Sequence, residues 1–182
     1  MLHLIDIQRL PIPAQFFAFA EANIESAEIL CANLCANDAG VSYAHGAVIL
    51  SLTFHSCELF LKGAILHKEP VEQFSGNTGH NLDHLSKRYT NLFPGKKWEL
   101  DLPFRRDATD LNGLDPRIVE ELKTSLLVRE KAIPADQFLR YPTDIDGQPW
   151  DRLSGFEANS FLREIARIKC EFERLKRGIQ SG

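Results

Sequence analysis

The sequence predicts an all-α protein, an up-and-down helical bundle of about five helices. Three observations carry this. Apolar residues recur at helical spacing in four of five candidate segments. No stretch shows the two-residue alternation of a half-buried strand. Breaks such as Asp38-Ala39-Gly40, Pro94-Gly95 and Asp115-Pro116 fall between the segments. A chain of 182 residues fits a single domain, 1–182, that buries its core without disulfide or metal staples.

The first segment follows Pro11 and Pro13, where AQFFAFAEANIESAEILCANLCAN sets Phe16, Ala20, Ile24, Ala27, Cys31 and Leu34 along one face. The central helix is expected from about Val41 to His67, and KEPVEQFSGN then reads as a polar loop. Thr78 is the expected N-cap of a third helix, GHNLDHLSKRYTNLF, with Leu82, Leu85, Tyr89 and Leu92 inward. Residues 95–114 show no period and read as a long connection. Asp115-Pro116 opens a fourth helix to about Lys131. The stretch 132–150, rich in proline, is irregular. Last comes the cleanest amphipathic pattern, Phe161, Ile165, Ile168, Phe172, Leu175 and Ile179, with Arg, Lys and Glu on its other side.

The central run is apolar nearly all round, yet it carries Ser51, His55, Glu58 and Lys62. At 100° per residue these four fall in one narrow stripe. A polar stripe on a buried helix needs partners, because each unpaired polar group costs roughly 1–3 kcal/mol once desolvated. Glutamate four residues before lysine is the favourable order for a helical pair. The expected partners of Glu58 are therefore Lys62, one turn along, and His80 from the next helix. The same charged residues make this run a poor membrane span, since charge at mid-bilayer is costly.

A formal net charge of −4 argues against broad electrostatic binding of nucleic acid or of a membrane. The N-terminal MLHLIDIQRLPIP lacks the pattern of a secretory signal. Cys31, Cys35, Cys57 and Cys170 stand among apolar neighbours and are expected to be small core residues, which implies a reducing, cytoplasmic setting. No GxSxG elbow and no glycine-rich phosphate loop are present, so no cofactor is expected. His80 and His84, four apart, would share a face of the third helix. If that helix packs antiparallel to the central one, they could face His55 and Glu58. A polar network around Glu58 is the leading reading. A zinc or iron site built from His55, Glu58, His80 and His84 is the alternative.

ELFLK in the central helix, a polar loop, GHNLDHL opening the next helix, and FLRYP before a terminal amphipathic helix resemble the HEPN superfamily, the higher eukaryotes and prokaryotes nucleotide-binding domain. The likeness spans about Ala14 to Gly178. It implies an all-α bundle that dimerises, binds nucleotides or proteins, and in some members partners a nucleotidyltransferase. Many members are metal-independent ribonucleases of toxin–antitoxin or phage-defence systems, with an arginine followed by four to six residues and a histidine. That motif is absent here. Every arginine but Arg9 lies after the last histidine, His84, and positions 14–16 hold Ala14, Gln15 and Phe16. The resemblance thus implies a non-catalytic binding module that is homodimeric. A divergent ribonuclease or a metal-dependent hydrolase around His55, Glu58, His80 and His84 is the alternative.

Overall fold

The computed structural model describes residues 3–37, 42–70, 74, 77–104, 143, 146–148 and 156–181. They form a helical bundle with no extended strand among the described residues. Its helices are α1 (Leu4–Gln8), α2 (Ile12–Ala36), α3 (Tyr43–Lys68), α4 (Leu82–Leu92) and α5 (Ala158–Gln180). The short, exposed α1 was not foreseen from the sequence. The expected helix 115–131 and the FLRYP residues lie outside the described residues, as does the stretch 132–150 apart from 143 and 146–148.

Residue pairs fix the directions. Phe17 meets Gly63, and Ser56 Oγ donates to the Ala20 carbonyl at 2.6 Å, so α2 and α3 run antiparallel. Lys176 donates to Glu21 at 2.6 Å and Lys169 pairs with Glu28, so α5 is antiparallel to α2. Phe60 stacks on Phe172 with centroids 4.0 Å apart, and Phe156 lies against Gly46, so α5 runs with α3. The apolar face of α5 is the expected one, Ile165, Ile168, Phe172, Leu175 and Ile179, all buried. On α2 the buried face is Phe17, Ala20, Ile24, Ala27 and Cys31, with Phe17 in place of the expected Phe16. A side chain at Gly63 would come within 3.0 Å of the Phe17 ring, so glycine here permits the close approach of the two long helices.

Helix α4 departs from expectation. Its N-cap is Asn81, whose side chain accepts from the His84 N–H at 3.1 Å, and not Thr78, which lies in a 3-10 turn, Asn77–His80. His80 meets Glu58, while Arg88 pairs with Glu69 and Lys68 lies over the Phe93 ring. Helix α4 thus runs in the same sense as the second half of α3 and not antiparallel to it. The cause is the connection after Lys68. Phe74 lies back along α3, over Lys62 and against Phe16, so the chain has already made its return before α4 begins.

The connection expected from residue 95 is tied down over its described part. Leu100 and Leu102 are buried, and Arg174 donates to the carbonyls of Lys97 and Glu99. Tyr89 Oη donates to the Trp98 carbonyl at 2.8 Å. Tyr89→Phe removes the one donor to that carbonyl among the described residues while leaving the ring stack on Phe93 intact. It should cost about 1 kcal/mol in urea denaturation, the ordinary net value of a hydrogen bond. A loss within error of zero would show that the bond does not hold the connection in place.

Candidate functional site

Polar residues of α3 divide into two sets. Thr53 and Ser56 are buried and satisfied by backbone carbonyls, of Ile49 in the preceding turn and of Ala20 on α2. The other set is the predicted stripe. Glu58 is 1% exposed and Lys62 6% exposed, and Lys62 Nζ donates to Glu58 Oε1 at 2.6 Å. The ammonium also lies 5.2 Å from the centroid of the Phe74 ring, a cation–π contact that compensates part of its lost hydration.

His80 reaches the same carboxylate from the 3-10 turn, its Nδ1 3.0 Å from Oε1. The turn sits this close because residue 79 is glycine. A Cβ there would lie 3.0 Å from the Phe74 carbonyl carbon. His55 approaches from the other side, Nδ1 to Oε2 at 3.7 Å, which is too long for a hydrogen bond. Glu58 Oε2 and His55 Nδ1 are thereby buried without a hydrogen-bond partner among the described residues. The histidine side chains remain open, His55 at 41% and His80 at 60% exposure. The result is a buried carboxylate beneath a mouth formed by two imidazoles, each turning Nδ1 inward.

The remaining two candidates fall outside this group. Ser51 is partly buried and makes no contact with the carboxylate among the described residues. His84 is exposed on α4, because the helix begins only at Leu82 and so does not carry His80 and His84 on one face. Among the described residues no group of three or more His, Cys, Asp or Glu side chains is placed to hold a metal ion.

Electrostatics follow from the contacts. Burial alone would push the Glu58 carboxyl up. His55, Lys62 and His80 outweigh that and hold it at about 2, below the ordinary 4.5. A carboxyl depressed on folding contributes stability that is fully present above its ordinary value and is lost as the pH falls towards the folded one. Urea midpoints of the wild type should therefore drop between about pH 4.5 and pH 2. Glu58→Gln should lack this part of the slope. Parallel profiles for the two proteins would mean that Glu58 is not ionised in the fold.

The cysteines are all free. Burial pushes the Cys31 thiol up to about 11 and raises Cys57 further, so neither is a ready nucleophile. Cys170 is exposed on α5 and Cys35 only partly buried, which corrects the expectation that all four are core residues. No protein-family model matches the chain, and no curated protein or solved structure matches it either.

Proposed function

We propose that this chain is a non-catalytic, HEPN-like nucleotide- or protein-binding module, cytoplasmic and homodimeric, serving as an accessory in a toxin–antitoxin or phage-defence system, with a nucleotidyltransferase as a candidate partner. The observation that carries the reading is the mouth over Glu58. A carboxylate 1% exposed is held under two half-open imidazoles, one of its oxygens without a donor among the described residues. Such an arrangement presents two oriented ring nitrogens to a ligand. The lysine that neutralises the carboxylate is itself buried, and no hydroxyl or thiol nucleophile is found at the mouth among the described residues. The absence of the arginine–histidine motif points the same way.

Support for a second copy comes from the surface. Phe19, Ile29, Leu30, Tyr43 and Val48 are large, apolar and exposed on α2 and the start of α3. Of these, Leu30 and Val48 line one apolar surface depression with Leu34, Ala44, His45 and Ile49, the kind of patch that marks interaction surfaces.

One observation favours an enzyme as the second reading, a divergent ribonuclease. Two imidazoles sharing one carboxylate could serve as acid and base. Both readings meet in one experiment: calorimetric titration with nucleotides, light scattering, and turnover of a labelled RNA, on wild type and His80→Ala. Binding that is lost in a folded, dimeric His80→Ala, with no RNA turnover by the wild type, is expected. Turnover by the wild type that disappears in His80→Ala overturns the non-catalytic reading in favour of the ribonuclease. A monomer at tens of micromolar removes the homodimer.

A further inference from the structure

Cys31 and Cys35 stand four residues apart on α2, so their side chains share one face of the helix. Cys31 is buried, and its Sγ donates to the Ala158 carbonyl in the first turn of α5 at 3.3 Å. Cys35, one turn further on, is partly exposed. It lines an open depression of about 410 Å³ with Ser42, Tyr43, Phe156 and Glu157. Burial first, and then the neighbouring Cys35 and Glu157, push the Cys31 thiol up to about 11. One thiol of the pair is thus shielded and protonated, and the other is open to solvent.

That difference fixes an order of reaction. A hydroperoxide entering the depression meets Cys35 first, since oxidation follows exposure. The Cys35 sulfur attacks one peroxide oxygen, the O–O bond breaks, and the other oxygen leaves as water or an alcohol. Cys35 is then a sulfenic acid. The Cys31 sulfur attacks the Cys35 sulfur, an S–S bond forms, and the S–O bond breaks. The Cys31 proton leaves with the hydroxyl as water. Two thiols have lost one electron each, and the hydroperoxide has gained two. Attack within one helix needs no encounter, which offsets the weak nucleophilicity of a protonated thiol.

Helix geometry says what the product does. Cβ atoms four residues apart lie about 5–6 Å from one another, whereas a disulfide holds them at about 3.5–4.5 Å. The closing movement falls on the end of α2 that yields most readily. The helix stops at Ala36, Asn37 is extended, and the last carbonyls of a helix have no partner further along it. Oxidation also removes the Cys31 donor to α5. Leu34 lies in the same turn and lines both this depression and the apolar one with Leu30 and Val48. Opening the turn therefore changes the wall of both.

We propose that Cys31 and Cys35 form a redox-active dithiol, which hydroperoxides convert to an intramolecular disulfide that opens the last turn of α2. Cys35 is the thiol attacked first, and Cys31 is the one that resolves it.

The test uses the full chain carrying Cys170→Ser, which removes an exposed competing thiol. The reduced protein is treated with a modest excess of hydrogen peroxide, alkylated, and mapped by peptide mass spectrometry. The peptide holding Cys31 and Cys35 should lose two hydrogens, resist alkylation, and recover both thiols on treatment with a thiol reductant. Cys31→Ser, which keeps a donor for the Ala158 carbonyl, should leave a sulfenic acid at Cys35 that dimedone traps. Cys35→Ser, at a partly exposed position, should leave Cys31 unoxidised, and it carries the test alone should Cys31→Ser fail to fold. Amides 33–36 should exchange about tenfold faster in the oxidised chain, with α3 unchanged.

Sulfenic or sulfinic acid as the end product at Cys35, with Cys31 still present and reduced, overturns the inference. So does a disulfide that joins two chains through Cys35, or a Cys35 that peroxide leaves untouched. Equal exchange of amides 33–36 in the two forms overturns the opening of the turn.

Discussion

Glu58→Ala should lower the stability of this protein by about 3–5 kcal/mol, the cost of breaking a buried pair and leaving one charge behind. The charge left behind is Lys62, 6% exposed, whose hydrogen-bond acceptor in the fold is Glu58 Oε1 at 2.6 Å. Its cation–π contact with Phe74 does not replace a carboxylate. Glu58→Gln should cost less, about 1–3 kcal/mol, because an amide oxygen still accepts a hydrogen bond while losing the charge. The double variant Glu58→Leu/Lys62→Met should be more stable than Glu58→Ala, because an apolar pair of similar volume avoids the desolvated ammonium. Urea denaturation with an unchanged slope measures all three. If Glu58→Ala lies within about 0.5 kcal/mol of wild type, the carboxylate is not a structural partner, and the mouth must be read as functional alone.

Phe60→Ala should cost a similar amount, about 3–5 kcal/mol, by a different route. Phe60 is 1% exposed at the meeting point of three helices. It stacks nearly parallel on Phe172 of α5, and its ring centroid is 5.3 Å from that of Phe17 on α2. Truncation removes the contact that joins α3 to both neighbours and opens a cavity that rigid helices cannot close. Phe60→Leu should recover more than half of the loss, since it refills most of the volume. A loss below about 1 kcal/mol for Phe60→Ala would show that α2, α3 and α5 repack freely around the site.

The two variants differ in how far each could be foreseen. The Glu58–Lys62 pair needs only a helix, because a spacing of four brings the side chains together wherever the helix packs. The same holds for the buried face of α5, whose regular spacing survives in the fold without change. Phe60 could not be singled out from the sequence. The central run is apolar on almost every side, so periodicity cannot tell which ring meets which neighbour. On α2 the same weakness let the reading choose Phe16 where Phe17 is buried.

The pairing of His80 with Glu58 was expected, but for a reason that the fold replaces. The expectation assumed a simple return and an antiparallel third helix starting near Thr78. In the structure Phe74 is laid back over Lys62, Gly79 lets the turn close against it, and α4 starts later, from Asn81. His80 still meets the carboxylate, and His84 is carried out to the surface.

By itself, then, the sequence determined the helical class, the long α2, α3 and α5, and the i,i+4 pair at the heart of the stripe. These are consequences of side-chain spacing along a single helix, which needs no knowledge of neighbours. The tertiary structure alone decided that His55 and His80 flank one carboxylate, that Ser51 and His84 stand apart, and that one carboxylate oxygen is left without a donor among the described residues. Those facts depend on the course of the connection between α3 and α4. That course is set by the packing of Phe74 over Lys62 of α3 and of Gly79 against the Phe74 backbone, contacts that no periodicity encodes.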